Sequence, residues 1–130
     1  MTEIKYILTM YPDYGENCFY TPDGFDCGED GEIWLDDGYM VKINVPGLSE
    51  WCYKYQEECL IPVETEQISF EDLNKTFDWK AFHTEGLRLA YEVRKQLPDY
   101  VELWYQAPYE DKSGLIPEKI LITGENNGKL

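Results

Sequence analysis

The sequence predicts an α+β fold: a two-layer sandwich in which a mainly antiparallel sheet of four to five strands carries two helices on one face. Three observations predict it. Strand-like runs occupy both ends of the chain and helical periodicity fills the middle, in the order β, hairpin, α, α, β, β. An Asp37-Gly38 pair sits between two apolar runs, the strongest short-range hairpin signal, because both central turn positions need positive φ. One long amphipathic segment from Trp79 to Leu97 is closed by Pro98.

Taken in order, residues 3–11 (EIKYILTMY) form a nearly continuous apolar run, expected to be an interior strand covered on both faces. Residues 12–31 are rich in Pro and Gly and read as a long loop, with room for a short strand near Cys18 to Tyr20. Residues 32–36 and 39–45 are the hairpin strands, and Pro46-Gly47 ends the second. Ser49 is the expected cap of a helix over residues 50–59, with Leu48 and Tyr53 as its staple and Leu48, Cys52, Tyr55 and Cys59 as its apolar stripe. Residues 60–69 look irregular, starting at Pro62. Ser69 has capping-box spacing and begins a short helical turn.

Asp78 is the expected N-cap of the long helix, with Phe77 and Phe82 as its staple. Its inner face is Trp79, Phe82, Gly86, Ala90, Val93 and Leu97, with Leu89 beside it. A glycine inside such a helix costs about 1 kcal/mol against alanine. Its place on the apolar stripe implies a close approach to the sheet. Basic residues gather in the last two turns, where they oppose the helix dipole. Residues 101–106 and 118–123 are the last strands, and a polar tail follows over about 124–130. The step from the long helix to strand 101–106 permits a parallel crossover, so a mixed sheet is equally allowed. Residues 1–130 read as one domain, of a length able to bury its own core.

Charge is the strongest constraint on function. The chain has 26 acidic and 11 basic residues, a net charge of -15. Such a chain repels phosphate backbones and anionic lipid, which argues against nucleic-acid or membrane partners. Met1 to Tyr11 has a strand-like pattern, without the basic and apolar regions of a signal peptide. That points to a reducing, cytoplasmic setting in which Cys18, Cys27, Cys52 and Cys59 are free thiols. No CxxC occurs and His83 is the sole histidine, so neither zinc nor another cofactor is expected. Residues 26–37 match a calcium loop in part, at Asp26, Asp30, Gly31 and Ile33. Gly28 removes a ligand, Asp37 replaces the usual Glu, and a hairpin rather than a helix follows.

The acid is unevenly spread: residues 1–60 hold 13 acidic and 3 basic residues. The densest patch runs from Asp23 to Asp37 and has no basic residue. Within and beside it lie the candidate partner-binding residues Asp23, Asp26, Glu29, Asp30, Asp36 and Asp37, with the aromatics Tyr20, Phe25 and Trp34. Carboxylates would steer a basic protein and the rings would anchor it. Trp34, between Ile33 and Leu35, fits a core position as well as an interface one. In this general character the chain resembles immunity proteins that neutralise a basic toxin, often a nuclease, and nucleic-acid mimics; the resemblance is compositional and carries no residue roles. The expected function is therefore an acidic protein-binding module, monomeric or homodimeric, with no catalytic role. A structural or housekeeping domain is one alternative. A small hydrolase using His83 is the other, although the helical pattern puts His83 at the margin of the apolar face, as a surface or boundary residue.

Overall fold

The computed structural model describes residues 3–4, 6–12, 18–21, 28–29, 31–35 and 40–123. The strands are β1 (Tyr6–Met10), β2 (Phe19–Tyr20), β3 (Gly28–Glu29), β4 (Glu32–Trp34), β5 (Met40–Lys42), β6 (Val101–Gln106) and β7 (Lys119–Ile122). The helices are α1 (Leu48–Tyr55), α2 (Ile61–Glu64), α3 (Phe70–Thr76) and α4 (Trp79–Gln96), with a π-helical turn, Gln56–Leu60, joining α1 to α2.

The expected α+β fold with helices packed on one face of a sheet is present, and the sheet is mixed. Its order is β2-β1-β6-β7. β1 and β6 run parallel, with Leu8 opposite Leu103 and Met10 opposite Tyr105, while β2 and β7 are antiparallel edges. The expectation of a single sheet is corrected: β3, β4 and β5 form a separate three-stranded antiparallel sheet. The hairpin strands pair antiparallel, with Ile33 opposite Val41 and Trp34 opposite Met40, apart from the larger sheet. The hairpin docks on α4 instead. Asn44 N–H donates to Gln96 Oε1 (2.6 Å) and Gln96 Nε2 donates to Asn44 O (2.9 Å). The Asp37-Gly38 turn and the polar tail lie outside the described residues.

Period-two alternation sets the core. Val101, Leu103 and Tyr105 of β6 and Leu8 and Met10 of β1 are fully buried. The other face is more open, with Ile7 at 43% exposure, so the expectation that β1 is covered on both faces fails. β1 is interior in strand order only.

The helices are more numerous than the two expected. α1 starts earlier than its spacing suggests, behind Gly47 in the left-handed conformation (φ 95°), and Ser49 is not its cap. Of residues 60–69, expected to be irregular, the part up to Glu64 is helical and 65–69 are irregular as expected. Pro62 lacks an N–H, and its ring would press on the carbonyl four residues back in a regular helix. The wide turn before it relieves that pressure: Ile61 N–H reaches back to Gln56 O. Ser69 caps α3 by accepting from Asp72 N–H (3.1 Å), as its spacing predicts. Asp78 caps α4 by accepting from Ala81 N–H (3.0 Å), and the Phe77 and Phe82 rings meet at 5.6 Å. The whole predicted stripe of α4 is buried. Gly86 has the predicted reason: a Cβ there would run into the Tyr105 hydroxyl and lie 2.7 Å from Trp51 Cζ2.

Candidate functional site

β1 and β6 are parallel, so both finish at the same end of the sheet, and the connection from β6 to β7 is built over that end. Four elements fasten it. From α4, His83 Nε2 meets Asp111 Oδ2 at 2.6 Å. From α1, Tyr55 Oη donates to Glu110 Oε1 at 2.6 Å. From α3, Asn74 Nδ2 donates to Glu110 O (2.9 Å) and Asn74 Oδ1 accepts from Lys112 N–H (2.7 Å). The fourth tie comes from Tyr11, just past β1, whose Oη accepts from Tyr109 N–H at 3.3 Å.

His83 is the centre of this arrangement. Its sequence position suggests a helix boundary, but it is fully buried, because Tyr105 and the 107–118 connection fold over that margin. Nδ1 lies 2.8 Å from Tyr105 Oη. Burial alone would raise the Asp111 carboxyl; hydrogen bonds from His83 and Ser113 outweigh it and hold the group below the usual carboxylate range. An ionised Asp111 can only accept, so Nε2 carries hydrogen and donates to it, while Nδ1 shares a hydrogen bond with the Tyr105 hydroxyl. Tyr105 itself is pushed well above the usual tyrosine range, first by burial and then by the Asp111 charge, so it keeps its proton. The three groups satisfy one another. Both imidazole nitrogens are used, and a substrate would have to displace Asp111 or Tyr105 to reach the ring.

The cysteines are equally closed. Cys18, Cys52 and Cys59 are buried and free of disulfides, and burial, helped by Glu110 and Glu58, pushes the Cys59 thiol up to about 12. Among the described residues no group of three or more His, Cys, Asp or Glu side chains is placed to hold a metal ion. No described helix is long and apolar enough to cross a membrane.

What this end of the sheet exposes is aromatic and charged, with Lys112 and Glu118 of opposite sign. Tyr109 is 64% exposed and meets Phe70 edge-on at 5.7 Å. Tyr11 meets Tyr20 edge-on at 6.2 Å. Between them opens a cavity of about 330 Å³, lined in part by Tyr11, Tyr109, Asp111 and Glu118. A second hollow, about 400 Å³, lies between α1 and the start of α4; its rim carboxylate Glu85 is already bonded to Arg88.

Of the residues singled out from sequence, Tyr20 is half-buried on β2, beside this cavity's Tyr11. Trp34 is 46% exposed, so the core reading of this residue does not hold. Glu29 is in β3, in register with Glu32. Asp23, Phe25, Asp26, Asp30, Asp36 and Asp37 lie outside the described residues, as do the calcium-loop positions among them and Cys27. Sequence reasoning missed Tyr105, Glu110 and Asp111. The first was legible, since alternation in VELWYQ sets Tyr105 on the same face as Val101 and Leu103.

No protein-family model, curated protein or solved structure matches this chain.

Proposed function

We propose that this protein is a binding module that engages a basic protein partner and occludes its surface, in the manner of an immunity or inhibitor protein acting on a toxin or nuclease within a reducing, cytoplasmic compartment. The observation that supports this best is the rigid mounting of an exposed ring. Tyr109 stands on a connection tied to four other elements, so presenting it costs little ordering on binding. Rings so held are what interface hot spots are made of.

Charge supports the basic character of the partner. The lysine–carboxylate and arginine–carboxylate pairs among the described residues lie within helical segments, three or four residues apart. Four basic side chains, Lys54, Lys75, Arg88 and Lys95, are thus paired along the helices, while the acidic excess of the first 60 residues stays large. The only histidine adds nothing to an enzymatic reading, being sealed and doubly bonded.

The test is affinity capture from native lysate at low and then moderate salt, followed by a dissociation constant for any stoichiometric basic protein retained. One such protein, weakened by Asp26→Asn, Asp30→Asn and Asp37→Asn together and by Tyr109→Ala, is the expected result. Retention of no basic protein, or equal binding by all variants, overturns the reading.

A further inference from the structure

We infer that the cavity at the carboxyl ends of β1 and β6 is a receptor for one arginine side chain of a protein partner. The inference rests on the basic-partner reading above and gives it a specific anchor point.

Position is the first argument. β1 and β6 are parallel neighbours, so their carboxyl ends reach the same end of the sheet. Tyr11 directly follows β1 and Gln106 ends β6, and both line the cavity. Its volume of about 330 Å³ suits a single large side chain.

Chemistry is the second. Two carboxylates and Lys112 line the space, and the roles of the carboxylates differ. Asp111 has only 4% of its side chain exposed and is held ionised from behind by His83 and Ser113. It is a fixed negative charge that need not reorganise when a cation arrives. Glu118 is exposed and, among the described residues, makes no ion pair; its own main-chain carbonyl is fixed by Ala107 N–H at 3.0 Å. Glu118 can therefore close on a ligand.

The rings are the third argument, and the protein already shows the recognition within its own chain. Lys112, which lines the same cavity, has its Nζ 4.2 Å from the centroid of Tyr109, so that ring's face already holds a cation that an incoming guanidinium must displace. A planar guanidinium stacks on tyrosine and pairs with carboxylate at once, which an ammonium does less well. Tyr11, Tyr109, Asp111 and Glu118 are thus the complement of arginine.

The probe is the peptide acetyl-Gly-Arg-Gly-amide, with citrulline in place of arginine as the uncharged isostere. Each is titrated into the full-length protein at physiological salt and followed by amide NMR shifts. Saturable shifts at Ala107, Tyr109, Ser113 and Gly114 are expected. Citrulline, which removes the charge that both carboxylates and the ring engage, should bind weaker by at least about tenfold, and Glu118→Gln, which loses one charge-assisted pair, should weaken binding by about tenfold. Glu50→Gln removes the same charge from α1 and should leave binding unchanged. No saturable shift at these amides, equal binding of citrulline, or an unaffected Glu118→Gln overturns the proposal. A captured partner that binds Glu118→Gln and wild type equally overturns the arginine site while the basic-partner reading stands. Specific peptide binding with no lysate partner has the opposite meaning: the arginine site stands and the basic-partner reading falls.

Discussion

Helix α4 is joined to strand β6 at both ends, and the two joints use opposite chemistry. Where α4 hands over to β6, Arg94 donates to the carbonyls of Leu97 (3.1 Å), Pro98 (2.7 Å) and Val101. That joint is one permanent cation serving main-chain oxygens at a helix C-terminus. Where β6 leaves the sheet, His83, Tyr105 and Asp111 form a closed chain of side chains. Arg94 is partly exposed, so truncating it opens a path for water to the carbonyls it serves, although Leu97 and Val101 are themselves buried. The His83 group is buried and has no such path. Similar numbers of hydrogen bonds thus carry different penalties when broken, because what matters is whether the abandoned partner can be rehydrated.

The most damaging change should lie between the joints. Gly86→Leu drives a side chain into Tyr105 and Trp51, separating α4 from β6 along its middle; a loss of at least about 4 kcal/mol, or failure to fold, is expected in urea denaturation. A loss below about 1 kcal/mol would show that the two elements part easily and that the joints alone hold them.

The next effect separates the joints. Asp111→Ala strands the buried His83 Nε2–H and should cost about 3 kcal/mol. Arg94→Ala, with solvent available, should cost about half as much. Equal losses in denaturant melts would erase the distinction.

Acid sharpens it further. Asp111 is held below its unfolded value by its partners, so its contribution is complete above about pH 4 and is lost as pH falls through the folded value. Wild type and Arg94→Ala should therefore share the same acid limb in a stability–pH series, since a guanidinium does not titrate there. Asp111→Asn should flatten it. An unchanged limb in Asp111→Asn would mean that other carboxylates set the acid sensitivity.

The smallest effect is expected beside the His83 joint. Trp79 stacks on His83 at 5.8 Å, and its indole Nε1 is buried without a hydrogen-bond partner. Trp79→Phe removes an orphaned donor as well as some packing. The two should offset to within about 1 kcal/mol, far below the usual cost of truncating a buried tryptophan. A loss of about 3 kcal/mol would show that Nε1 is satisfied after all.

These contrasts also mark what the sequence could tell. Asp78, Phe77 and the stripe from Trp79 to Leu97 were readable because caps and 3.6-residue periodicity are local properties. Gly86 was readable for the same reason: its cost in a helix asks for a compensating contact. The partition into two sheets was not readable, since strand pairing depends on distant partners and β3 has only two residues. The π-turn escaped because the stripe of α1 looks regular up to Cys59, and only Pro62 hinted at a change of pitch. Asp111 and Glu110 read as ordinary loop acid. Only the return of β6 over His83 and Tyr55 makes them interior groups, and no spacing within PYED announces that. The acidic patch was legible as charge, and its steric arrangement lies outside the described residues.

The way residues 109–112 are held has a consequence for how this chain can change over time. The hydrogen bonds that fasten the connection to α1, α3, α4 and Tyr11 all fall on these four positions, through two main-chain N–H groups, one carbonyl and two carboxylates. Ser113, Gly114 and Leu115 beyond them are exposed, and the Ser113 bonds run only to Asp111 and Leu115. Gly114, at φ 71°, disfavours any side chain, and Ser113 supports the Asp111 carboxylate, so free substitution is confined to Leu115. A lineage under pressure to follow a changing partner could vary that one position repeatedly while the backbone beneath keeps its path.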